Sequence, residues 1–117
     1  MTRPVLAVLF LLSLAAVLEA QAAVEVPARP AARVTDLTGT LSRDELSRLE
    51  AKLGAFERET SHQVAVLIIP SLEGEPIEPL SHRIGASWKL GQAGKDNGVL
   101  LLIAKADRRL RIEVGYG

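Results

Sequence analysis

Val64-Ala65-Val66-Leu67-Ile68-Ile69, six apolar residues in a row closed by Pro70, decides how this chain folds. The run is rich in β-branched residues, has no polar side, and is too short for a core helix. A strand with no polar side is covered on both faces, as in a parallel sheet lined by helices. Downstream, Val99-Leu100-Leu101-Leu102-Ile103-Ala104 repeats the pattern. Arg109-Leu110-Arg111-Ile112-Glu113-Val114 instead alternates charged and apolar positions, which predicts a half-exposed strand paired as a hairpin with the run before it.

Two helices accompany these strands, one before Val64 and one between the two apolar runs. Leu41-Ser42-Arg43-Asp44-Glu45-Leu46 opens the first: Ser42 caps the N3 amide, Glu45 reaches back, and Leu41 meets Leu46 as a staple. Leu46, Leu49, Leu53 and Phe56 fall within about 80° of one another on a helical wheel, one buried stripe. Gly54 weakens this helix by about 1 kcal/mol relative to alanine, and Thr60-Ser61 ends it. Glu73-Gly74-Glu75-Pro76 is a turn, with Pro76 at the first helical position of a second helix and Pro79 still in its first turn. Ile77, Leu80, Ile84 and Trp88 form its buried stripe, and core packing is the expected role of Trp88. Gly91 to Gly98 reads as a mobile polar loop.

Working outward, the amino end reads as an export signal at residues 1–22: Arg3, an apolar run from Val5 to Leu18 broken only by Ser13, and an Ala20-Gln21-Ala22 cleavage pattern. The run is shorter than the roughly 20 residues a bilayer span needs, so an uncleaved anchor is the lesser reading. Residues 23–33, with prolines and alanines and little periodicity, suit an extended linker. The rest, residues 34–117, is one small domain. With 14 basic and 14 acidic residues and no long like-charge run, neither a nucleic-acid surface nor a polybasic membrane patch is indicated. The absence of cysteine excludes a disulfide framework, a disulfide-linked partner and a lipid-bearing cysteine.

Five pieces stand in a telling order: Val34-Thr35-Asp36 before a capped helix, Gln63-Val64-Ala65-Val66, Trp88-Lys89-Leu90-Gly91, Asp96-Asn97-Gly98-Val99-Leu100-Leu101, and Arg111-Ile112-Glu113-Val114-Gly115-Tyr116-Gly117. In this series the chain resembles TPM domains. The resemblance implies an α/β fold, a three-layer α/β/α sandwich with a mixed central sheet, on the outer side of a membrane. Members are described as a thylakoid-lumen acid phosphatase, a photosystem II repair factor and a receptor accessory protein. TPM domains continue past Gly-Tyr-Gly with further helices and another acidic motif, so the expectation is a domain with its C-terminal part missing. Strands 99–104 and 109–114 would then be short of cover and prone to association.

Asp36, Asp96 and Asn97 are the candidate metal ligands. All three offer oxygen donors beside loops, of the kind calcium takes, and TPM relatives resemble calcium binders that use such acids. The expectation is that Asp36 and the Asp96 loop lie toward one end of the sheet. The competing reading gives Asn97-Gly98 to a tight turn and Asp36 to a local side-chain turn. A phosphatase would use the same acids to hold a metal, with Arg83, Lys95, Arg108 and Arg109 available to clamp phosphate, although surface charge is the simpler role for these cations. Gly91-Gln92-Ala93-Gly94-Lys95-Asp96 is no P-loop: Lys89 occupies the required earlier glycine position, and Asp96 stands where Ser or Thr would meet magnesium. His62 and His82 lack zinc-ligand spacing, and Ser42 is occupied as a cap. No catalytic residue is assigned. The favoured function is an exported, non-catalytic accessory module of the cell envelope that binds calcium or a protein, its partner an envelope or membrane protein complex. The alternative is a metal-dependent acid phosphatase acting on phosphomonoesters.

Overall fold

The structure, a computed structural model, describes residues 24–116. The export signal expected at residues 1–22 lies outside the described residues. Strand β1 (Val34–Asp36) leads to helix α1 (Arg43–Thr60), then β2 (Gln63–Ile69), α2 (Ile77–Trp88), β3 (Gly98–Ala104) and β4 (Arg109–Tyr116). The sheet has the order β1-β2-β3-β4, with β1, β2 and β3 parallel and β4 antiparallel to β3. This is the expected α/β fold with a mixed sheet and a helix on each face.

Side-chain alternation along β2 assigns those faces. Ala65, Leu67 and Ile69 point into the larger core with Leu80, Ile84 and Trp88 of α2 and with Leu100, Leu102 and Ala104 of β3. Val66 and Ile68 point the other way, onto Leu46, Leu49 and Leu53 of α1. The unbroken apolar run is needed because both faces of β2 are covered. Leu67, Leu80, Leu100 and Leu102 are fully buried. Truncating any of them to alanine costs about 2–5 kcal/mol.

The two crossovers step in the same direction across the sheet but pass over opposite faces. Their hands are therefore opposite, and one of them is left-handed, a class found in only about 2% of parallel connections. The result is a diagonal arrangement. Helix α1 packs on β1 and β2, with Leu101 and Ile103 of β3 at the margin of the same cluster, whereas α2 packs along β3 and β4.

The start of α1 is as expected: Ser42 Oγ accepts from Glu45 N at 3.1 Å and Ser42 N donates to Glu45 Oε1 at 3.0 Å. Its end is Ser61, in the left-handed region at φ 68°, with its N–H donating to Glu57 O. Three details differ from the sequence expectation. Phe56 is 43% exposed, because the stripe rotates off the sheet by the last turn and leaves the ring beside His62. Pro76 sits at the N-cap, one position earlier than expected, since Ile77 is the first residue with helical geometry. The loop from Gly91 to Asn97 is pinned rather than mobile, for reasons given below. Gly54 is buried beneath the Arg33 guanidinium, which stretches over α1 between Glu50 and Glu57, yet a Cβ there would meet Arg58 and Arg33 only at ordinary contact distances of 3.4 and 3.5 Å.

Residues 24–33 form neither helix nor strand, bend at 31–33, and are bound to the domain. Val24 N donates to Glu75 Oε2 at 3.1 Å, Trp88 Nε1 donates to Pro27 O at 2.7 Å, and Arg29 Nη1 donates to Trp88 O at 2.8 Å. Val24 and Val26 pack against the α2 core, so this segment is a strap.

Candidate functional site

The carboxyl ends of β1, β2 and β3 share one edge, the usual place for ligands in open parallel sheets. Leu37, Thr38, Pro70, Lys105, Ala106 and Arg108 line an open groove of about 760 Å³ there. The strand ends are tied together by Leu37 N to Ile68 O and Lys105 N to Ile69 O, both 3.0 Å. Asp107 Oδ2 accepts from Leu72 N at 2.7 Å, which fastens the β3–β4 turn to the start of the β2–α2 loop.

Asp36 stands beside this groove at the end of β1, and its carboxylate is engaged by its own loop. Oδ1 accepts from Thr38 N at 2.9 Å and from Thr38 Oγ1, while Oδ2 accepts from Leu41 N at 2.7 Å. Desolvation is the largest single influence and pulls its pKa upward, but the donors from Leu41, Thr38 and Thr40 together outweigh it and bring the group down from 3.8 to about 2. The side-chain turn weighed for Asp36 is what forms.

Asp96 and Asn97 lie at the opposite end of the sheet, which corrects the expectation that they share an end with Asp36. Asp36 is level with Ile68 and so with Ile103, whereas Asp96 precedes Gly98, which is level with Gln63. The five steps from Gly98 to Ile103 amount to about 16 Å along the strands. A calcium ion reaches its oxygens at about 2.3–2.6 Å, so no single ion joins these residues.

Asn97, 7% exposed, is fully committed to structure. Its Oδ1 accepts from Gln92 N at 2.7 Å, and its Nδ2 donates to Ser61 O at 2.7 Å and to Gln92 Oε1 at 3.4 Å. Gln63 Oε1 accepts from Gly91 N at 2.8 Å. The loop is thus stapled to the end of α1 and the start of β2. Asp96 is exposed and holds the positive φ of the turn, 49°. Among the described residues no cluster of three His, Cys, Asp or Glu side chains is placed to hold a metal ion. The donor set expected for calcium therefore does not fit a shared site, and no chemistry is routed through one.

The feature left unsatisfied is apolar. Leu110, Ile112 and Val114 of β4 stand beside Ile103, Leu101 and Val99 on the α1 face, beyond the reach of α1. They are 63%, 59% and 65% exposed. The charged alternates turn toward α2, where Arg111 Nε donates to Glu113 Oε1 at 2.5 Å and Ser81 Oγ lies 3.5 Å from the same oxygen. The alternation was legible in the sequence as a half-exposed strand. Which half faces water was not, because that depends on where α1 stops.

The TPM domain family profile matches residues 34–117. The chain belongs to the TPM domain family. Among solved structures it is similar to the N-terminal domain of a P. gingivalis protein, determined in solution, at 31% identity and a TM-score of 0.67, over 77% of this chain and 55% of that one. It has the fold of the N-terminal domain of a Corynebacterium glutamicum protein, at 20% identity and a TM-score of 0.59, over 83% of this chain and 62% of that one. The chain thus spans less than two thirds of the length of either structure. A search of the curated proteins found no match.

Proposed function

We propose that this chain is an exported, non-catalytic TPM module of the cell envelope that binds a protein through β4. The observation that carries this is the exposed row Leu110, Ile112 and Val114 on a strand that, among the described residues, pairs with β3 alone. An eight-residue strand at the sheet edge among the described residues, with an exposed apolar row, offers both halves of strand addition: backbone pairing for affinity and side-chain contacts for choice of partner. The Arg3, Val5–Leu18 and Ala20-Gln21-Ala22 pattern supports export. Between calcium and protein, the geometry favours protein, since Asp36 and Asn97 are engaged by their own loops. The phosphatase alternative would need a metal held by Asp36 and Asp96, which lie at opposite ends of the sheet.

Two measurements on the purified chain test this reading. An aryl phosphate should not be turned over with calcium or magnesium; metal-dependent turnover that Asp96→Ala abolishes would reverse the choice. An extended peptide of alternating apolar and charged residues should shift and protect the amides of Leu110 to Val114. Peptide-induced changes confined to other elements would remove β4 as the binding surface.

A further inference from the structure

The ladder between β1 and β2 stops one rung short, and the gap opens into a cavity. In a parallel pair the bonding residues alternate, each turning both its N–H and its C=O toward the same neighbour. Gln63 N donates to Asn97 O on the β3 side, and Val66 N donates to Arg33 O on the β1 side. Val64 therefore faces the β1 side with both groups. With Val34 level with Val66, the rung at Val64 would need Ala31 O and Arg33 N. The chain bends at 31–33 instead, and Arg33 N donates to the Glu50 carboxylate, at 2.9 Å to each oxygen. Among the described residues nothing pairs with Val64 N–H or C=O.

The space left by the departing strap is a notch of about 290 Å³, walled by internal stretches of the chain, among them Arg29, Arg33, Gln63, Val64, Trp88 and Leu90. Arg33 is held between Glu50 and Glu57. Arg29 is not matched in this way: its Nη1 donates to Trp88 O at 2.8 Å and Lys89 O at 3.3 Å, and among the described residues no carboxylate pairs with it. Gly91 N donates to Gln63 Oε1 at 2.8 Å, which sets this end of α2, and Arg29 with it, beside the amino end of β2.

We infer that the notch takes the carboxylate-ended residue of an acylated amino acid, whether a free N-acyl amino acid or the last residue of a peptide. Its N–H donates to Val64 O, one carboxylate oxygen accepts from Val64 N, and the carboxylate meets the Arg29 guanidinium. A residue that gives and takes in this way lies antiparallel to β2, so its carboxyl end points toward Gln63, the side on which Arg29 stands. At the roughly 30 Å³ that each water takes, the notch has room for at least about ten non-hydrogen atoms, and N-acetylalanine has about nine. The site is independent of the reading of β4, which lies two strands away.

The test is an NMR titration of the isotope-labelled full chain, at low ionic strength, with N-acetylalanine, its N-methylamide, acetate, and a hexapeptide ending in a free alanine carboxylate. N-Acetylalanine should move the Val64 amide resonance saturably, with a dissociation constant of about 1 mM for so small a ligand. The methylamide keeps the backbone pair and lacks the charge, while acetate keeps the charge and lacks the N–H. Each should bind at least about tenfold more weakly. Arg29→Gln should weaken N-acetylalanine about tenfold and leave the methylamide unchanged, and Arg29→Lys should restore part of the loss. The ligand comparison uses the parent chain alone, so it holds whether or not Arg29→Gln keeps its strap. A hexapeptide that binds as well as N-acetylalanine makes chain ends a source, and one that is shut out leaves the free acyl amino acid; either upholds the notch. Equal binding of acid and methylamide, an unmoved Val64 amide, or shifts confined to the groove at Lys105 and Arg108 overturns it.

Discussion

Replacing Asp36 by alanine isolates what its carboxylate does. The substitution deletes the bonds from Thr38 N at 2.9 Å and Leu41 N at 2.7 Å, together with that from Thr38 Oγ1. A hydrogen bond to a charged acceptor contributes about 1.5–3 kcal/mol, but water can replace part of this set in a half-exposed loop, so the total loss is put at about 2 kcal/mol. With a urea slope of about 1–2 kcal/mol/M, the unfolding midpoint at neutral pH should fall by between about 1 and 2 M. The sign with pH follows from the depressed pKa. A carboxyl at about 2 in the fold, against 3.8 ordinarily, contributes fully above pH 4, progressively less as pH falls through 2, and nothing below. The gap between parent and Asp36→Ala should therefore close from pH 4 to pH 2. Asp36→Asn, which keeps one acceptor oxygen without the charge, should lie between them at neutral pH. Equal midpoints at pH 7, or a gap that stays constant down to pH 2, would refute the assignment of Asp36 to its loop.

Gly98→Ala would place a Cβ 2.6 Å from the backbone C and O of Leu90 and 2.7 Å from Gly91 N. Backbone cannot turn aside as a side-chain end can, so a loss of about 3 kcal/mol and a melting temperature lower by roughly 10–20 °C are expected; a shift under about 3 °C would contradict the close approach. Asn97→Ala leaves Gln92 N and Ser61 O without their partner, at a cost of about 1–3 kcal/mol, and should speed amide exchange throughout residues 91–97. Unchanged exchange in that loop would show that the amide is not its staple.

The strands and helices were readable because each is fixed by local pattern and by two-sided or one-sided burial. The runs at Val64–Ile69 and Val99–Ala104 had to be covered strands, and Leu41 to Leu46 carries its own start signal. The candidate site was not readable, because placing Asp36 and Asp96 at one end required knowing the level of each loop along the sheet. Parallel strands joined by helices send the loop after β1 and the loop before β3 to opposite ends, so two acids that look equivalent in sequence are separated by the strand length. Asn97 was legible as a turn former, but its bond to Ser61 O spans 36 positions and leaves no local trace. The pattern at β4 announced a two-sided strand, and only the left-over width of the sheet beyond α1 decided that its oily side meets water.

The strap also sets how far the domain can travel. Ten extended residues span at most about 35 Å, which is the play that residues 24–33 would give a domain hung from its amino end. With Val24 held by Glu75 and Pro27 by Trp88, that length is withdrawn from the leash. Whatever precedes Val24 leaves from a fixed point beside the start of α2. The reach between an attachment at the amino end and the domain is therefore shorter by the length of the strap.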